Sequence, residues 1–459
     1  MKKITLFLVA MTMSLLSFAA QPKRIYAYDL SSALVDKVYT FSFTANETPT
    51  SGKIIFYDAT SSELVGEIAL TNPVLGKNEV EIAEYSLPGN DGLQLNWAVE
   101  LSAAAVTAID ALNDPNLSQF KFYLPQDVAV DNSPESDFFG RVYVANPGTG
   151  SGYVAAGISV YDQELNKLGD GYKATGHTIS ARTDIHRLAV QPQTGKIYYA
   201  KTGSSTAIYE LIPNKNGSLS DGGSSVNVIS GVSEIKNANS LCFDENGLLW
   251  ILNYANYVDN KTTGVVYSVD NKAATLFTKN DPNVYKWVSN DNAIAPDGLG
   301  GFWVAQYRSN FDGFYVLSHV NKEGVLDFYI NNTTNNTLIP TSGSSGSINA
   351  SYRGHLAYYS KENMLAFGGA DRVSLFTVKY DSDGKPTLTK FGETPSIRHT
   401  DSNKNIDGIA FDYAGNLYMA SATREKLFIH YLPTTTLVKF LQRKQMWLQK
   451  LSQLLHYTR

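Results

Sequence analysis

One phrase recurs along this chain and constrains its fold more than any other feature. Its clearest copy is DGIAFDYAGNLYMA, from Asp407 to Ala420. A polar residue opens a short apolar run, a Gly or Asn turn follows, and a second apolar run carries Tyr or Trp. The first runs are QDVAVD (126–131), HRLAVQ (186–191), NSLCFD (239–244), DNAIAP (291–296), GHLAYY (354–359) and DGIAFD (407–412). Their partners are GRVYVAN (140–146), GKIYYAK (195–201), GLLWILN (247–253), GFWVAQ (301–306), NMLAFGG (363–369) and GNLYMAS (415–421). Third runs follow, such as GISVYDQ (157–163) and KLFIHYL (426–432). Length and residue type mark all of these as strands.

Gly140, Gly195, Gly247, Gly301, Asn363 and Gly415 anchor the six copies. Asn363 stands in for Gly because Asn also tolerates positive φ. A repeat of roughly fifty to sixty residues holding four short strands is one blade of a β-propeller. Six copies predict a closed six-bladed propeller over 118–432. The sixth shows three strands, and SQFKFYL (118–124) is free to supply its fourth.

Residues 25–112 differ in style. VYTFSFTANE (38–47), GKIIFYDA (52–59), NEVEIAEYSL (78–87) and LQLNWAVELS (93–102) are strand runs separated by Gly, Pro and Asn turns. They predict a small β-sandwich ahead of the propeller, with 103–116 as the connector. The expected fold is all-β throughout.

With 459 residues, 43% hydrophobic, the chain is long enough for both cores. Its net charge of −5 offers no field that would draw nucleic acid. Residues 1–20 read as an export signal: Lys2 and Lys3, an apolar run from Ile4 to Phe18, and small residues through Ala20 at the cleavage site. The competing reading is an uncleaved anchor, for which the run is short. After cleavage no membrane-spanning segment is expected. The single cysteine, Cys242, excludes a disulfide framework and reads as a small buried hydrophobe.

Residues 433–459 break style again. Lys439, Arg443, Lys444, Lys450 and Arg459 have no acidic counterpart from 437 onward, and leucines recur near helical spacing. Two readings stand: a basic amphipathic helix on an anionic membrane, or a tail not selected with the rest.

The phrase at 407–418 resembles the NHL-repeat and gluconolactonase-like propellers, and the resemblance covers about 125–432. The first unit resembles Ig-like modules of Bacteroidetes surface proteins and of flagellar hook-capping proteins. Together they imply an Ig-like sandwich followed by a six-bladed propeller. Relatives of this look often end in a sorting domain for type IX secretion, which is not legible after 432.

Residues at the start of each innermost strand ring a propeller axis, where six loops converge. Here Asp127, Asp184, His186, Asn239, Asp291, His355 and Asp407 lie at or next to those starts, with Arg187 and Arg353 adding positive charge. Convergent carboxylates and amides can hold Ca²⁺, bind sugar hydroxyls or position a general base. Equally, Asp and Asn cap turns throughout β proteins. The gluconolactonase-like resemblance implies a metal held by an early Glu, two Asn or Asp residues and a late Asp. Asp407 matches the late ligand and Asn239 a middle one, but blade one offers Gln126 and Asp127 instead of Glu. His186 and His355 suggest a lyase-type acid/base pair. Tyr254, Tyr257, Tyr307 and Phe311 are candidates for stacking on sugars. Zinc-protease, nucleophile-elbow and phosphate-loop motifs are missing.

The expected function is an exported binding or scaffold protein whose propeller takes a small-molecule, glycan or protein ligand. Its expected place is extracellular or the outer-membrane surface, with the periplasm as alternative. The competing function is a Ca²⁺-dependent lactonase-like hydrolase or polysaccharide lyase on the propeller axis.

Overall fold

The computed structural model describes residues 24–89, 94–104, 108–172, 187–201, 207–221, 228–229, 238–253, 264–268, 273–277, 293–305, 315–331, 355–369, 372–397, 406–421, 425–431 and 442–446. The signal segment 1–20 lies outside them. In VYTFSFTA, alternate side chains turn inward, and strand Val38–Ala45 buries Tyr39, Phe41 and Phe43 on one face. It is the middle strand of a sheet with Ala27–Val35 and Gly76–Ala83. A second sheet holds Leu64–Ala69, Ser51–Asp58 and Leu95–Ser102. The sheets share one core, in which Phe41 meets Trp97 edge-on at 4.9 Å.

The fourth strand of that second sheet comes from the far end of the chain. Gln442–Met446 runs antiparallel to Leu95–Ser102, pairing Lys444 with Trp97. These five residues are therefore extended, which corrects the helical reading of the tail at this point. The rest of 433–459 lies outside the described residues.

Six further sheets have four strands each, and five run in simple sequence order from the innermost strand outward. The inner strands are Asp127–Val130, Arg187–Val190, Ala238–Phe243, Ala293–Pro296, His355–Tyr359 and Gly408–Phe411. Each contacts the next, and Gly408–Phe411 returns to Asp127–Val130, so the ring closes.

Side-chain size explains how the blades wedge together. Ala129 packs with Leu188, Ala189 with Leu241, and Cys242 with Ile294. Ala295 packs with Leu356, Ala357 with Ile409, and Ala410 with Val128. Every inner strand thus offers a small residue to the branched residue of the following blade. Interdigitation of large and small groups fills the interface at native density. Burying each branched side chain is worth about 1.5–3 kcal/mol. Cys242 belongs to this set as a partly buried small residue, and burial of its sulfur pushes its thiol well up.

Closure differs from the expected arrangement. The outer strand of the sixth sheet is Asp110–Ala111, which pairs with Lys426–Tyr431. It lies inside the segment read as a connector. SQFKFYL instead forms a short 3₁₀ turn at Ser118–Phe120 and a single bridge from Lys121 to Lys426.

The hairpins after the inner strands explain the recurring phrase. Oδ1 of Asp244 accepts from the amides of Asn246 (2.9 Å) and Leu248 (3.0 Å). Asp412 does the same for Ala414 and Asn416, and Asp297 for Leu299 and Gly301. Such turns need one residue of positive φ, supplied by Gly247 (78°) and Gly415 (87°), and in blade five Asn363 (47°) ends the 3₁₀ turn Ser360–Glu362 that takes their place. In blade four it is Gly300 (95°), one residue before the expected anchor Gly301. The second carboxylate oxygen then bonds the aromatic of the next strand: Trp250 Nε1 donates to Asp244 (2.9 Å) and Tyr418 to Asp412 (3.4 Å).

The first unit docks on this hairpin end. Arg24, 2% exposed, donates through Nη1 to Glu362 (2.9 Å) and to the carbonyl of Ala414 (3.0 Å). Tyr26, Tyr28, Phe139 and Ala414 form a separate apolar cluster between the two units.

Candidate functional site: the axial channel and its two ends

Aligning the six inner runs on their small residues places one rung at the strand-start end: Asp127, Arg187, Ser240, Ala293, His355 and Gly408. This register differs from the expected set. Asp407 falls one residue before the rung, and so does Asn239, whose backbone lies in strand Ala238–Phe243. The side chain of Asn239 lies outside the described residues, as do Asp184, His186, Asp291 and Arg353.

Neighbouring blades are joined through the rung. Asp127 accepts from its own neighbour Val128 N on Oδ1 (2.9 Å) and from Leu188 N of blade two on Oδ2 (2.9 Å). Burial pushes its carboxyl up to about 6, against the pull of the Arg187 charge and two amide bonds. The Ser240 hydroxyl accepts from Ile294 N of blade four at 3.1 Å. Gly408 leaves space for blade one: a Cβ there would stand 2.5 Å from Asp127 Cα.

Arg187 spans the axis. Its Nη1 donates to the carbonyls of Gln126 (3.3 Å) and Asp407 (3.4 Å), and its Nη2 meets His355 Nε2 at 3.4 Å. Guanidinium only donates, so that imidazole nitrogen accepts and the ring proton sits on Nδ1. Arg187 and His355 are each 3% exposed. One cation therefore ties blade two to blades one, five and six.

Below this brace an axial channel of about 840 Å³ runs along the inner strands. At the hairpin end it is lined by Asp244, Glu245, Lys361 and Tyr413. The Lys361 ammonium donates to the Tyr413 carbonyl at 3.2 Å and lies over its ring. The side chain is exposed to the channel mouth but surrounded by protein elsewhere, and that crowding pushes its ammonium down to about 7. The sequence reading missed this end, because Lys361 and Glu245 sit in turns that the repeat made look purely structural.

The chemistry available at the described rung is limited. Both oxygens of Asp127 are held by backbone amides, and Asp407 lies off the channel lining. Among the described residues no three His, Cys, Asp or Glu side chains converge as a metal site. His355 is brought to the axis, and its Nε2 is engaged by Arg187. The four aromatics expected to stack on sugars lie outside the described residues.

No helix among the described residues is long and apolar enough to cross a membrane. No family model matches the sequence, and no curated protein matches it. Solved structures resemble the chain at low identity. A protein of unknown function from Bacteroides thetaiotaomicron is 10% identical, covering 90% of this chain and 98% of its own, with a TM-score of 0.44. An auxiliary nutrient binding protein from Bacteroides ovatus is 9% identical, with 86% and 94% covered and a TM-score of 0.42. The PQQ-bound aldose sugar dehydrogenase from Streptomyces coelicolor is 12% identical, with 72% and 99% covered and a TM-score of 0.44. Likenesses at this level carry no argument about activity, and the fold reading rests on the chain's own strand pairing.

Proposed function

We propose that this chain is an exported binding or scaffold protein of the cell envelope or exterior. Its ring of blades is the platform for a small-molecule, glycan or protein ligand. One observation carries the preference for binding over catalysis. The polar groups at the described axial rung, Asp127 and Ser240 with Arg187, spend their hydrogen bonds on neighbouring strands. A hydrolase needs a base free to reach substrate, with a metal or oxyanion donor beside it. Docking of the first unit at the hairpin end, through Arg24 and Tyr26, supports the opposite face as the one that meets a partner.

The test is turnover. The purified full chain, supplied with Ca²⁺, is expected to hydrolyse no lactone and cleave no polysaccharide. Turnover that Asp407→Ala or Asn239→Ala abolishes would replace this reading with the hydrolase or lyase one.

A further inference from the structure

We propose that Tyr123 and Tyr153 form a stacking subsite for a neutral pyranose, on the strand-start rim where blade six meets blade one. The proposal deepens the binding reading above and rests on it. Tyr123 is 38% exposed, yet its ring is held in place. The loop that follows strand Val142–Asn146 lies against it: a Cβ on Gly148 would stand 2.5 Å from its Cδ1, and one on Gly150 2.6 Å from its Cδ2. Side chains at those two positions would push the ring away.

Tyr153 stands perpendicular to Tyr123, with centroids 5.6 Å apart and planes at 75°. Its hydroxyl donates to the Glu425 carboxylate. The corner is anchored from behind. Phe122 N donates to the Glu425 carbonyl at 2.8 Å, and Val154 N to the Lys121 carbonyl at 2.8 Å. Asn146 holds both segments, accepting from Leu124 N (3.0 Å) and donating to the Val154 carbonyl (3.0 Å). Glu425 keeps a positive φ of 56° at the turn that presents its carboxylate. The adjacent Lys426 ammonium is turned to Asn116, at 2.6 Å.

A fixed aromatic floor, an aromatic wall and an acceptor-only carboxylate match a sugar ring. The C–H face of a pyranose covers an aromatic ring, and its equatorial hydroxyls donate sideways. The Glu425 charge disfavours uronic acids, which narrows the class to neutral sugars.

Calorimetric titration of the full chain with cellohexaose, xylohexaose, laminarihexaose and maltoheptaose tests this. At least one should bind, and Tyr123→Ala should weaken it about ten-fold, the loss expected for one stacked ring. Tyr123→Trp should retain binding, and Glu425→Gln should weaken it without lowering the melting temperature. Tyr85→Ala, on the 79% exposed Tyr85 of the first unit, should change nothing. Equal affinity of Tyr123→Ala and wild type overturns the subsite while leaving the platform reading intact. Binding of none of the four sugars also overturns it, whereas the platform reading falls only to turnover.

Discussion

At the hairpin end of the ring, Asp244, Asp297 and Asp412 hold one geometry three times over. At the strand-start end, Asp127 and Ser240 each accept from the first amide past the next blade's rung, while Arg187 and His355 meet each other across the axis, a contact no other pair of blades makes among the described residues. The first pattern serves a single blade: a carboxylate satisfies the amides of its own turn. The second crosses between blades and sets how they sit around the axis. Repeated chemistry thus builds the sheets, and unrepeated chemistry makes this ring individual. A ligand that selects this chain has to read the unrepeated end.

The sharpest way to break that comparison lies in blade four, where the repeated cap has acquired a private partner. His319, 1% exposed, sits between Asp297 Oδ2 (3.0 Å) and Asp327 Oδ1 (2.7 Å) and packs on Trp303. Each ring nitrogen faces one carboxylate oxygen. His319→Ala removes a hydrogen-bond partner from the buried Asp297 carboxylate and the packing on Trp303, and should cost about 3 kcal/mol in denaturant unfolding. A loss below about 1 kcal/mol would mean the cap holds blade four without help.

At the strand-start end the next largest effect is steric. Gly408→Ala drives a methyl into the backbone of Asp127 and should cost about 2 kcal/mol. No change in unfolding midpoint would show that blades six and one have slack there.

The third test is pH. Burial raises the Asp127 carboxyl from its ordinary 3.8 to about 6, so the folded state binds the proton more tightly than the unfolded chain. Its contribution is complete below about 3.8 and is lost as pH rises through about 6. Asp131, raised by burial to the same value, adds a parallel slope. From pH 4 to pH 7 the wild type should therefore lose about 2 kcal/mol of stability relative to Asp127→Asn, which has no carboxyl to titrate there. Parallel curves would mean the carboxyl is not perturbed, and the brace around Arg187 is then wetter than its burial suggests.

Much of the ring could be read from the sequence because its forces are local and periodic. A small residue facing a branched one, an Asp before a turn, and a positive-φ residue three places on all leave marks at fixed spacing. Gly301 was misread because Gly298, Gly300 and Gly301 crowd one turn, and only φ tells which one bends it. The closing strand hid for a different reason. Asp110–Ala111 is two residues long, too short to show a period, and its place is set by pairing more than 300 positions away. Polarity placed Asp407 and Asn239 at or next to their strand starts, as found, but which residues share the rung is set by Ala129, Ala189, Cys242, Ala295, Ala357 and Ala410. Arg187 was noticed only as added charge, since nothing in a sequence says that one guanidinium will reach three other blades. The tail strand paired with Leu95–Ser102 was equally hidden, its polar residues carrying no strand alternation.

The smallest expected effect separates conformation from contact. Gly247 has φ of 78°, and the nearest atom to a Cβ placed there is Gln193 Oε1 at 3.6 Å, an ordinary contact. Gly247→Ala therefore meets only the intrinsic penalty of a left-handed backbone, about 1 kcal/mol. Gly247→Asn should recover part of it, because Asn363 already fills the equivalent place in blade five at φ of 47°. If Ala and Asn cost the same, the turn does not depend on left-handed tolerance, and the Asp244 cap alone holds it. If Gly247→Ala costs as much as Gly408→Ala, the hairpin end is no more forgiving than the strand-start end, and the division between repeated and private chemistry fails.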